Sequence, residues 1–227
     1  IKKRVIIIFD EFQEVRRISS MLERQMRGIF QYHQNIIYIF IGSQESMIRE
    51  IFQNKKNPFY KFGRHITLHK IPEPEFSDFI IKRFASQKID AHKITADILK
   101  FTDHHPYYTQ QLCHEIYILN QGKILTKDII QKAIEQIITE HHADYSRWWN
   151  SLTNTERKVI IGIASGDYEP TSQDFIRKYG IKSASTSGSV VSKLITSGTL
   201  VKDNGERIKI EDPFWKEWIL KNRQLKS

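Results

Sequence analysis

Arg4-Val-Ile-Ile-Ile-Phe9 reads as a continuous apolar run rich in β-branched residues, and Asp10 and Glu11 end it at once. β-Branched residues in series, without polar alternation, read as a parallel strand buried on both faces. A helical stretch follows, from about Phe12 to Gln31. A second apolar run, Ile36-Ile-Tyr-Ile-Phe-Ile41, ends in Gly42-Ser43-Gln44, and another helix runs to about Gln53. His65-Ile-Thr-Leu-His69, after Gly63-Arg64, has the composition of a third short strand. Strand, helix, strand, helix, strand is the pattern of an α/β parallel sheet. Ligands of such sheets bind at the carboxyl ends of the strands, which here carry Asp10, Glu11, Ser43 and Gln44.

Ile71-Pro72-Glu73-Pro74 breaks this alternation. From Glu75 to about Trp149 the apolar spacing is helical, with Phe76, Phe79, Ile80 and Phe84 on one face and Ile94, Ile98 and Phe101 on another. Pro106 fits the first turn of a helix that carries Leu112, Ile116 and Leu119. After Leu152 the texture changes again. Three helices are predicted, the third over Ser183 to Ser197, then two short strands, Thr199–Lys202 and Arg207–Ile210, joined through Asn204-Gly205. Asn-Gly between strands is a hairpin signal, and three helices followed by a hairpin describe a winged helix-turn-helix. The predicted organisation is a core over 1–71, an all-α domain over 72–150 and a winged helix over 151–227.

Charge follows the same division. The 227 residues carry a net charge of +9. Residues 1–70 contribute +7, residues 71–145 contribute −3 and residues 146–227 contribute +5. Basic outer modules point to polyanionic partners, nucleotide or nucleic acid. No apolar run approaches the roughly 18 residues of a membrane span, so a membrane partner is not expected. The single cysteine, Cys113, excludes an intramolecular disulfide framework. With no secretory signal pattern at Ile1-Lys2-Lys3-Arg4, a cytoplasmic location is expected. His104-His105 and His141-His142 are adjacent pairs, not the i, i+4 pairs that meet on one helix face, so they do not form a zinc motif.

The strand ending in Asp10-Glu11 has the form of a Walker B element. The aspartate can hold Mg²⁺ and the glutamate can polarise an attacking water; a strand that simply ends in acids reads the same way. Ser43 or Gln44 can sense a γ-phosphate, and Ser43 can also cap the next helix. Arg64 can act as an arginine finger or sit in a surface ion pair.

Taken together, IIIFDEFQE at 6–14, IFIGSQESMIREIF at 39–52, PFYKFGRHITL at 58–68 and HHPYYTQQL at 104–112 resemble an archaeal-type ATPase of the STAND/AAA+ group of P-loop NTPases. The resemblance extends over essentially the whole chain, from the Walker B strand onward. It implies an α/β fold: a partial P-loop parallel sheet, a helical lid and a winged helix. It implies Asp10 and Glu11 as the Walker B pair, with Asp10 on Mg²⁺, and Ser43 or Gln44 at the sensor 1 position. Arg64 would be the arginine finger, and Pro106 would lie beside the adenine of ATP bound between core and lid. Where the family has glycine two residues before that proline, this chain has His104. No glycine has another five residues later, so the G-x-x-x-x-G-K-S/T loop that cradles phosphates is absent from the 227 residues. The chain is therefore expected to be part of a larger protein whose amino-terminal P-loop segment is a partner, and not to hydrolyse ATP alone.

In the winged helix, Ser185, Ser187, Lys193, Lys202 and Arg207 are candidates for nucleic-acid contact, although the hydroxyls also suit helix capping. The leading expectation is a nucleotide-dependent switch, with a homo-oligomer or another protein as further partner. The alternatives are a winged-helix DNA-binding protein with a degenerate ATPase half and a non-enzymatic interaction scaffold.

Overall fold

The computed structural model describes residues 4–43, 45–68, 70–120, 125–203 and 207–222. The chain divides into two compact units, Ile1–Leu68 and His69–Ser227.

The first unit is built on two parallel strands, β1 (Val5–Phe9) and β2 (Ile36–Phe40), paired in register from Val5↔Ile36 to Phe9↔Phe40. A 3-10 turn (Phe12–Glu14), α1 (Val15–Ile18) and α2 (Ser20–Phe30) connect the strands, and α3 (Glu45–Gln53) follows β2. The helices cover one face of the sheet. Phe30 of α2 stacks on Tyr38 at 4.1 Å between ring centroids, and Phe52 of α3 meets Phe40 at 5.3 Å. Phe12, Ile51 and Phe59 are the fully enclosed centre of this aromatic core. Ring pairs at these distances add modestly to the apolar burial that holds the unit together.

Two expectations are corrected here. The strands are not buried on both faces: Ile6, Ile8, Ile37 and Ile39 are 59, 58, 48 and 41 % exposed. A single βαβ crossover and the helix after it lie on one side of the sheet, so nothing in this unit covers the other. Residues 65–68 do not form a strand, and Ile66 and Leu68 stand exposed. A strand needs a neighbour to take its backbone groups, and among the described residues this segment has none.

The second unit begins with α4 (Glu73–Ala85), α5 (His92–Thr102), α6 (Pro106–Asn120), α7 (Lys127–Glu140) and α8 (His142–Ser151). It continues with α9 (Asn154–Ala164), α10 (Gln173–Tyr179), α11 (Ala184–Thr196), β3 (Leu200–Lys202), β4 (Ile208–Ile210) and α12 (Pro213–Asn222). Polar caps start the helices where the sequence offers them. Thr153 and Glu156 form a reciprocal capping box on α9, Ser172 caps α10 and Ser183 caps α11. The two strands pair antiparallel from Leu200↔Ile210 to Lys202↔Ile208; the Asn204-Gly205 turn lies outside the described residues. Helix α12 has no counterpart in the sequence reading. It buries Phe214, Trp215, Trp218 and Ile219, and one hydrophobic core runs from Phe76 through to Ile219. No helix among the described residues is long and apolar enough to cross a membrane.

Candidate functional site

Parallel pairing in register brings the carboxyl ends of β1 and β2 side by side. The ladder continues past the strands: Ile41 N donates to Phe9 O at 2.8 Å, and Phe12 N donates to Ile41 O at 2.9 Å. Asp10-Glu11 and Gly42-Ser43 thus emerge together at one end of the sheet.

Ser43 Oγ donates to Glu11 Oε2 at 2.9 Å, and Gln13 Nε2 donates to the same oxygen. Hydrogen bonds to the charged form, first from Ser43 and then from Gln13, hold the Glu11 carboxyl below its ordinary range. Glu11 itself sits in the left-handed region, at φ 49° and ψ 43°. That conformation costs a non-glycine residue about 1–2 kcal/mol. The Asp10 side chain supports it by accepting Glu11 N at 2.9 Å on Oδ1.

Under this cluster lies Gln13, fully buried, with Oε1 lacking a hydrogen-bond partner. A Cβ built on Gly42 would fall 2.3 Å from that oxygen and 2.5 Å from Ile48 Cγ1. Glycine is required at 42 by this close approach. Gln13 follows the Asp10-Glu11 strand end, and the sequence pattern assigns it no role. A lone amide two residues after Glu11 gives no signal until the fold shows it supporting that carboxylate.

The site presents a paired Glu11 carboxylate, an exposed Asp10 carboxylate and a serine hydroxyl on one rigid sheet end. Among the described residues no three His, Cys, Asp or Glu side chains cluster as a metal site. Mg²⁺ in phosphoryl-transfer sites takes only one or two carboxylates and completes its shell with water and phosphate. The donor set here fits that mode, and does not fit a metal caged wholly by protein.

The other predicted residues are distributed as follows. Gln44 lies outside the described residues. Arg64 is exposed, in the same unit as Glu11, on the unpaired segment and not before a strand. Pro106 opens α6 in the second unit. Just before it, Asp103 and His104 are both left-handed, at φ 50° and 59°, the conformation glycine favours. His104, where the resemblance leads one to expect glycine, adopts glycine's backbone, and its Nε2 lies 3.5 Å from Glu73 Oε2.

Around the winged helix, Ser185 and Lys202 are exposed. Ser187 is fully buried and donates to Pro170 O at 2.6 Å, so its hydroxyl faces the interior and not a ligand. Lys193 Nζ is 2.6 Å from Glu156 Oε1, a carboxylate almost wholly buried. The Arg207 guanidinium lies over the Tyr168 ring at 4.8 Å. The structure does not gather these five into one cationic surface.

A family model described as a probable winged helix domain matches residues 143–221. The Walker-type ATPase PABY2304 of Pyrococcus abyssi is similar in structure, with a TM-score of 0.67 at 17 % identity over 94 % of this chain. This chain spans 62 % of that protein's length. The Holliday junction branch migration motor RuvB of Thermotoga maritima is similar with a TM-score of 0.51 at 14 % identity, over 99 % of this chain and 72 % of RuvB. No curated protein matches the chain. At these identities the likeness is one of fold: an α/β, partial P-loop architecture followed by a helical lid and a winged helix.

Proposed function

We propose that the chain is the Walker B-to-winged-helix part of a STAND/AAA+-type ATP-dependent switch. The observation that carries this is the Ser43–Glu11 hydrogen bond at the carboxyl ends of two adjacent parallel strands, with Asp10 beside it. An ionised glutamate held by a hydroxyl from the neighbouring strand is placed to accept a proton from water. In this reading Asp10 holds Mg²⁺, which when bound neutralises charge on the nucleotide phosphates. Glu11 orients the attacking water. Ser43 holds the glutamate and releases it when its hydroxyl turns to a phosphate oxygen, so that Ser43 couples nucleotide state to the catalytic carboxylate. Arg64 remains the arginine-finger candidate and Pro106 the adenine-side candidate. The phosphate-cradling loop would come from residues outside these 227, which would also give the exposed isoleucine face of the sheet its cover.

The winged helix is read as regulatory. Lys193 and Arg207 already have partners within the fold, which disfavours direct DNA reading by this element.

The test is Glu11→Gln in the natural full-length gene product. Retained ATP binding with Mg²⁺-dependent turnover abolished is the expected result. Turnover at the wild-type rate in that variant would remove Glu11 from the mechanism and with it this assignment.

A further inference from the structure

Residues 51–68 of the first unit contain Lys55, Lys56, Lys61 and Arg64 and no Asp or Glu. Lys55, Lys56, Lys61 and Arg64 are exposed, and among the described residues none of the four takes part in an ion pair. The nearest preceding acid, Glu50, has its carboxylate 2.9 Å from Arg16 Nη1. These cations therefore stand without internal compensation.

They are also held on a rigid support. Lys56 N donates to the Asn54 side chain at 3.0 Å, and Asn57 Nδ2 donates to Glu50 O at 2.6 Å. Tyr60 N donates to Asn57 O, Lys61 N to Phe52 O and Phe62 N to Phe59 O, each at 3.0 Å. Phe59 anchors the loop in the aromatic core with no exposed surface. Two aromatic rings carry cations at its rim. Lys61 Nζ lies over Tyr60 at 5.4 Å, and the Arg27 guanidinium of α2 lies over Phe62 at 4.3 Å. Arg27 thereby adds a further positive charge beside the loop.

Several cations of the second unit are paired instead. Lys193 is paired with Glu156, Lys178 with Asp167, and Lys70 and Lys209 with Asp103. Lys158 donates to Gly180 O at 2.6 Å. A surface that binds a polyanion keeps its cations available to phosphates, and the 54–62 loop holds three exposed lysines free of ion pairs among the described residues within seven positions.

We infer that the 54–62 loop, with Lys55, Lys56 and Lys61 and flanked by Arg27, is a docking surface for the phosphodiester backbone of a nucleic acid. Lysines act as point charges on phosphates and not as base readers, so the contact is independent of base sequence. The inference does not depend on the nucleotide proposal, since duplex binding and ATP turnover are separate readouts.

The experiment uses the whole chain and a short fluorescent DNA duplex, titrated at several salt concentrations. Each neutralised phosphate gives a slope of about −0.9 in log affinity against log salt. The triple variant Lys55→Gln, Lys56→Gln, Lys61→Gln should bind roughly ten- to a hundredfold more weakly at moderate salt, with the slope flatter by about 2–3. Lys202→Gln should bind as the wild type does. Equal binding by the triple variant, loss of binding in Lys202→Gln, or no duplex binding by the wild type would each overturn the inference. So would binding to phosphatidylserine vesicles with none to duplex. Photo-crosslinking of duplex to the unaltered protein guards against misfolding of the variant. Crosslinks within residues 51–64 are expected, and crosslinks confined to 182–209 would defeat it.

Discussion

Ser43 and Glu11, 32 positions apart in sequence, meet across the carboxyl ends of two parallel strands with Oγ 2.9 Å from Oε2. The bond exists because the register places Phe9 opposite Phe40, so that each chain leaves its strand at the same height. A shift of one residue would turn the side chains of one strand to the other face and separate the pair.

Because Ser43 makes the largest contribution to the lowered Glu11 pKa, Ser43→Ala should move the Glu11 titration upward, toward its ordinary value. Gln13→Ala should move it in the same direction by less. Carboxyl-carbon NMR across the acid range reads both. An unchanged midpoint in Ser43→Ala would show that the hydroxyl does not stabilise the charged form.

Gly42→Ala should destabilise the first unit by about 1–3 kcal/mol, the usual cost of forcing a methyl group into a filled core. The new Cβ would meet both the Gln13 amide and the Ile48 side chain. Adding Gln13→Ala should restore part of the loss and not all of it, because Ile48 remains. Thermal or denaturant unfolding measures the three variants, and an unaffected single variant would mean the cradle relaxes freely.

The uncovered sheet face is a second lever. Replacing Ile6, Ile8, Ile37 and Ile39 with threonine keeps β-branching, and hence strand preference, while removing exposed apolar surface. Binding of a hydrophobic dye should fall and the far-ultraviolet circular dichroism should stay the same. Loss of the sheet signal would show that the face is packed and not open.

Glu156 provides a pH-dependent element in the second unit. Burial works to raise its pKa, but the Lys193 ion pair and the Thr153 hydrogen bonds outweigh it and hold the carboxyl below its ordinary value. A depressed folded-state pKa contributes stability that is present above the unfolded value, 4.5, and is lost as the pH falls through the folded one. Glu156→Ala should cost roughly 1–2 kcal/mol through the lost cap and should flatten the acid limb of the stability profile. Urea unfolding between neutral pH and the acid range tests this, and an acid limb of undiminished steepness would place the titration elsewhere.

Much of this was legible in the sequence. The Arg4–Phe9 and Ile36–Ile41 runs identify two strands, since β-branched residues in series favour extended pairing, but the burial on both faces that such runs suggest is not met. Ser183 marks a helix start because a side-chain oxygen there satisfies a free backbone N–H. Asp10, Glu11 and Ser43 or Gln44 are candidates from the sequence because they stand at strand ends. These are local properties, set by a few neighbouring residues and by backbone hydrogen-bonding demand.

What only the tertiary structure decided is non-local. His65-Ile-Thr-Leu has strand composition and forms no strand, because pairing depends on a neighbour and not on propensity. Ser187 looks like a surface hydroxyl, yet its helix turns it inward onto Pro170 O. Lys193 looks like a phosphate ligand, yet it serves a carboxylate 37 positions away. Gln13 has no meaning until Gly42 is seen to rest against it. In each case the sequence supplies the functional group. Which partner that group meets depends on the distance and burial that packing alone establishes.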